Sequence, residues 1–181
     1  MRQPVTADNL QVFMKALAAV VSTPSRIYLV GGATSVLLGW RTSTIDIDLK
    51  IVPESDEILR SLPELKERLQ VNIELASPGD FIPELPGWQE RSRFIQQEGK
   101  LAFYHYDFYA QALAKIERGH QIDSQDVGQL ITNGLVDPKR LLELFFAIED
   151  RLYLYPSLDK AGFRRAVERV SGAQTDRVDE S

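Results

Sequence analysis

The chain has 181 residues, 44% hydrophobic and 26% charged, with a formal net charge of −5 and no cysteine. That length suits one globular body with a buried core and room for a helical appendage, and the lack of cysteine excludes both a disulfide framework and a thiolate-held metal. A net negative chain is unsuited to coating DNA non-specifically, which needs many Lys and Arg contacts to phosphates; no run of about 18 apolar residues offers a membrane span, and MRQPVTADNL has no signal-type apolar stretch, so a cytoplasmic protein is expected.

In chain order, Leu10, Phe13, Leu17 and Val20 recur at helical spacing, which predicts an opening amphipathic helix with Asp8 as its N-cap. Arg26 to Val30 reads as a short strand running into Gly31-Gly32, and Ala33 to Trp40 as a helix that starts on the glycines. Thr44 to Ile51 alternates strictly: Ile45, Ile47, Leu49 and Ile51 share one face, and Thr44, Asp46, Asp48 and Lys50 the other. Residues 56–70 read as a helix that Pro63 kinks or divides. Val71 to Leu75 alternates again, with Asn72 and Glu74 on one face. Pro78, Gly79, Pro83, Pro86 and Gly87 make 77–88 an irregular loop. Residues 94–97 and 100–106 flank Glu98-Gly99 as a hairpin, and helical patterns follow at 107–118, 123–133, 138–154 and 158–171. The expected fold is α/β (α+β): a small mixed sheet over residues 1–106, a helical part at 107–171 packed on it, and a polar, frayed tail at 172–181.

The chemistry concentrates in YLVGGATSVLLGWRTSTIDIDLKI, from Tyr28 to Ile51. Gly31 and Gly32 have no side chains, so the turn can bring backbone N–H groups and a helix start close to an anion such as a triphosphate; a glycine pair also makes an ordinary tight turn. Asp46 and Asp48, two apart on a strand, project to one face and can share a hard, oxygen-ligated cation such as Mg²⁺ or Mn²⁺. Two acids can equally be solvated positions on a polar strand face, but like charges so placed repel, which favours a cation between them.

Gly31-Gly32, thirteen intervening residues and Asp46-Ile47-Asp48 resemble the signature of the DNA polymerase β superfamily of nucleotidyltransferases. With Arg41 and Ser43 before the acids, the segment is similar to the AbiEii-like abortive-infection and toxin-type members and their small stand-alone relatives. The resemblance implies Mg²⁺-dependent transfer of a nucleoside monophosphate from an NTP to an acceptor hydroxyl. That acceptor would be tRNA or protein, as in a toxin with an antitoxin partner, or a small molecule, as in aminoglycoside-type enzymes; a non-catalytic nucleotide- or partner-binding domain of the same fold is the other alternative. By the same resemblance, Gly31, Gly32, Thr34, Arg41 and Ser43 would contact the nucleotide. Glu74 would be a third metal-holding or proton-accepting carboxylate, with Asp80 as its substitute. Lys115, followed by Asp123 and Asp126 in ALAKIERGHQIDSQD, would neutralise phosphate charge with Asp126 positioning the lysine or the acceptor, although Asp123 also reads as a helix N-cap and Asp126 as an acid suited to the helix start. His105 reads as a packing or surface residue and Trp88 as core, or as a base-stacking ring. The cationic residues of the last two helices read as a solvated face or an RNA-acceptor surface. Dinucleotide-binding and P-loop motifs are missing.

Overall fold

The structure, a computed structural model, describes residues 2–172; all of the expected tail beyond Gly172 lies outside the described residues. The contacts divide the chain into two compact units, one comprising residues up to Ser77 and Ser92–Tyr106, the other Pro78–Arg91 and the chain from Asp107 onward. The first unit is built on a five-stranded mixed sheet in the order β3-β2-β1-β5-β4. Its strands are β1 (Ser25–Val30), β2 (Asp46–Val52), β3 (Asn72–Leu75), β4 (Arg93–Glu98) and β5 (Leu101–His105). β1 runs antiparallel to β2 and parallel to β5, β2 is parallel to β3, and β4 and β5 form the hairpin.

Alternation decides which face of the sheet is covered. Ile27 and Leu29 of β1, Ile47, Leu49 and Ile51 of β2, and Leu101 and Phe103 of β5 enter one core, joined by Leu10, Phe13, Met14 and Leu17 of helix α1 (Ala7–Ala19) and Ile58, Leu62 and Leu65 of α3 (Asp56–Leu69). The short helix α2 (Gly32–Leu37) adds Ala33 and Val36. The intervening β2 residues, Asp46, Asp48 and Lys50, lie on the other face, half-buried.

Four local expectations change. Thr6, not Asp8, caps α1: its hydroxyl accepts from Asn9 N while the Asn9 side chain accepts from Thr6 N, a reciprocal capping box. Asp8 sits instead in the first turn, where its charge suits the helix dipole. Pro63 does not divide α3, which runs unbroken because burying Ile58, Leu62 and Leu65 outweighs one lost amide hydrogen bond. Ile45 is 78% exposed rather than a core residue. Thr44 is tied to Val5 by two backbone hydrogen bonds (2.7 and 2.9 Å), so β2 proper starts one residue after Ile45, at Asp46.

The second unit is helical: α4 (Trp88–Arg91), α5 (Phe108–Arg118), α6 (Gln121–Thr132), α7 (Pro138–Glu149) and α8 (Lys160–Ser171), with 3-10 turns at Pro78–Asp80 and Leu152–Leu154. Thus α7 stops before the predicted 154, and 77–88 contains a short turn inside its irregular path. Tyr155 Oη donates to Gly79 O at 2.7 Å and Arg151 to Glu84 O at 3.3 Å, fastening that segment within the unit. Phe145 and Phe163 meet edge to face at 5.0 Å between α7 and α8. Among the described residues no helix is long and apolar enough to cross a membrane.

Candidate functional site

The register of three strands assembles the acids. Val30 of β1 stands opposite Asp48, so the chain leaves β1 at Gly31 beside that carboxylate. On the other side of β2, Asp46 pairs with Asn72 and Asp48 with Glu74. Asp46, Asp48 and Glu74 each offer an oxygen, and those oxygens lie within 4.8 Å of one another, the two aspartates half-buried and the glutamate exposed. Three carboxylates at that separation repel in the absence of a cation, and an all-oxygen donor set without sulfur or imidazole suits a hard divalent ion. The residues therefore fit the metal that the sequence motif implies.

The glycines leave the backbone bare at the same place. Gly31 has φ +64°, and a Cβ there would lie 3.5 Å from Asp48 Oδ2. At Gly32 a Cβ would fall 2.0 Å from Thr44 Oγ1 and 2.6 Å from Thr44 Cβ. Thr44 cannot readily yield, because both of its backbone hydrogen bonds go to Val5. Glycine at 32 is thus what lets the start of α2 and the entry to β2 approach each other.

Other sequence candidates fall in different surroundings. Arg41 and Ser43 are half-buried in the segment that leads from α2 to β2. Thr34 is buried: its hydroxyl lies 3.4 Å from Leu29 O and 3.1 Å from His105 Nδ1, so it can donate to the carbonyl while accepting from the ring. His105 is buried as well, and burial, helped by the charge of Arg93, lowers its pKa from 6.5 to about 4. Trp88 is buried with its indole N–H on Glu84 at 2.8 Å, and Asp80 is exposed in a 3-10 turn of the helical unit.

Within the helical unit, Lys115 Nζ sits 2.7 Å from Asp126 Oδ2 and 3.6 Å from Asp123 Oδ1. Arg118 grips both oxygens of Asp123, at 2.6 and 2.8 Å. Lys115 is only 9% exposed, Asp123 1% and Asp126 4%. Asp123 is not the N-cap of α6; His120 holds that position without a side-chain bond, and Asp123 turns inward to the cations. Burial alone would raise the Asp123 pKa, but the hydrogen bonds from Arg118 and the charges of Lys115 and Arg118 outweigh it and lower it. Sequence reasoning missed two members of these groups. One is Asn72, which donates to both Asp46 and Glu74 (2.7 and 2.8 Å); the other is Arg118. Asn72 shared a predicted face with Glu74, but its partner Asp46 depends on strand pairing.

A mixed sheet that presents clustered carboxylates beside a glycine turn, with a helical C-terminal part, is the arrangement of a nucleotidyltransferase. Residues 9–170 match a family described as "Nucleotidyltransferase of unknown function" (DUF6036), and the chain belongs to that family. No curated protein and no solved structure gives a match.

Proposed function

We propose that this protein transfers a nucleoside monophosphate from an NTP to an acceptor hydroxyl, with Asp46, Asp48 and Glu74 holding a divalent cation, Mg²⁺ or Mn²⁺. The observation that carries this reading is the convergence of the three carboxylates from β2 and β3 in a chain of nucleotidyltransferase family. Such a cation, when bound, supplies positive charge against the phosphate oxygens. Gly31-Gly32 contributes bare backbone next to Asp48, where N–H groups can face phosphate. In the reaction the acceptor oxygen bonds to the α-phosphorus, the bond to the β-phosphate bridging oxygen breaks, and pyrophosphate leaves with that electron pair. The hydroxyl proton passes to water or to a carboxylate; the exposure of Glu74 supports it as that acceptor. The Arg41-x-Ser43 pattern and the Lys115 to Asp126 pattern support an AbiEii-like subtype, in which the acceptor is tRNA or protein.

The direct test is Asp46→Asn and Asp48→Asn, which keep side-chain volume and remove charge. Each variant should lose on the order of 10²-fold or more in Mg²⁺-dependent NTP turnover. Without metal each should melt no lower than the parent, because one of several like charges is gone. Full turnover together with unchanged Mg²⁺ binding by calorimetry would overturn the proposal.

A further inference from the structure

Asn72 contacts two carboxylates with one nitrogen. Its Nδ2 lies 2.7 Å from Asp46 Oδ1 and 2.8 Å from Glu74 Oε1, and an amide NH₂ has two hydrogens, so both bonds can form together. Each carboxylate is thereby tied through one oxygen to the same amide, which limits how freely it can turn to offer both oxygens to one ion. Divalent cations differ in what they ask of carboxylates: Ca²⁺ accepts a flexible shell of six to eight oxygens, often with both oxygens of one carboxylate, whereas Mg²⁺ demands a compact octahedron and usually takes one.

We propose that Asn72 is a positioning residue that sets the cation selectivity of the acidic group, by holding Asp46 and Glu74 for single-oxygen ligation and so favouring Mg²⁺ or Mn²⁺ over Ca²⁺. This rests on the cation-holding role of Asp46, Asp48 and Glu74 proposed above. The side chain is not needed to build the sheet: residue 72 pairs with Asp46 through the backbone, and the core residue of β3 is its neighbour Ile73.

The test is calorimetric titration of the whole chain with MgCl₂ and with CaCl₂, for the parent, Asn72→Ala and the near-isosteric Asn72→Asp, which keeps the shape and removes the donor. Melting in divalent-free buffer shows that each variant is folded. The ratio of Mg²⁺ to Ca²⁺ affinity should fall about tenfold in Asn72→Ala, the size of effect expected for a residue that orients metal ligands. It should fall at least as far in Asn72→Asp, where a fourth carboxylate adds oxygens for the larger ion. If the parent binds both ions and the ratio stays the same in both variants, the role of Asn72 is overturned and the acidic group stands as a cation site. A parent that binds neither ion overturns the cation site itself, and the selectivity role with it.

Discussion

His105 shows how a single buried side chain couples fold to pH. Its ring sits on β5 with Nδ1 against the Thr34 hydroxyl, and burial together with Arg93 holds its pKa at about 4 instead of 6.5. Between those two values the unfolded chain binds a proton that the folded chain refuses, so stability rises with pH through this window. The neutral imidazole therefore costs nothing above about pH 6.5, and the penalty accumulates as pH falls toward 4, reaching on the order of 3 kcal/mol. His105→Asn keeps a polar group near the Nδ1 position and removes the titration. Its unfolding free energy, measured by urea melts from pH 6.5 to 5, should vary less with pH than that of the parent. Parallel pH profiles for the two proteins would show that His105 does not produce the slope.

At the scale of elements, α5 and α6 are joined by buried charge. Buried Lys115 and the exposed Arg118 come from one helix, buried Asp123 and Asp126 from the next, and the four formal charges cancel. Removing Lys115 takes a cation away from two carboxylates that are themselves buried, and breaking a buried ion pair at one partner costs about 3–5 kcal/mol. Lys115→Ala should accordingly lower the melting temperature markedly, in contrast to the effect expected of a lysine at a cleft edge; Lys115→Met should do likewise, because it restores volume without charge. A variant that melts with the parent would return the lysine to a purely functional role. The sequence carried Lys115, Asp123 and Asp126 as a pattern, but their burial depends on how two helices pack, which spacing along one chain does not encode. Strands were more readable: β1 follows from a β-rich run ending at Gly31-Gly32 and the hairpin from its Glu98-Gly99 turn, while β2 and β3 follow from alternation, the imprint of a sheet with one covered face. The same rule placed Asp46 and Asp48 on one face. It misplaced Ile45, because the bridge from Thr44 to Val5 is a contact with a distant segment. Glu74 was a candidate from its place on a later alternating strand, in the order the resemblance implies, and only the pairing of β2 with β3 sets it opposite Asp48 and gives Asn72 its two acceptors.

For the whole molecule, the charge distribution predicts how its ligands depend on each other. Gly31, Gly32, Asp46, Asp48, Asn72 and Glu74 all lie within the first unit, and the charged group of Lys115 within the second. The first of these sites concentrates three of the carboxylates of a chain whose net charge is −5. A polyanionic nucleotide approaching without a cation meets like charge, so NTP alone should stabilise the fold little. Mg²⁺ alone relieves the repulsion among the acids and should raise the melting temperature modestly. Supplied together they give the nucleotide a bridge to the protein, and their joint effect should exceed the sum of the separate ones, since each ligand that binds only the folded state adds stability by mass action. At about 100 times the dissociation constant that is about 2.7 kcal/mol, a rise of about 5–10 °C for a chain of this size. Thermal melts with Mg²⁺, with each of the four NTPs, and with both measure it directly. Strictly additive shifts for every nucleotide would mean that cation and nucleotide bind at separate places. A melting curve unmoved by any combination would remove the nucleotide site from the molecule.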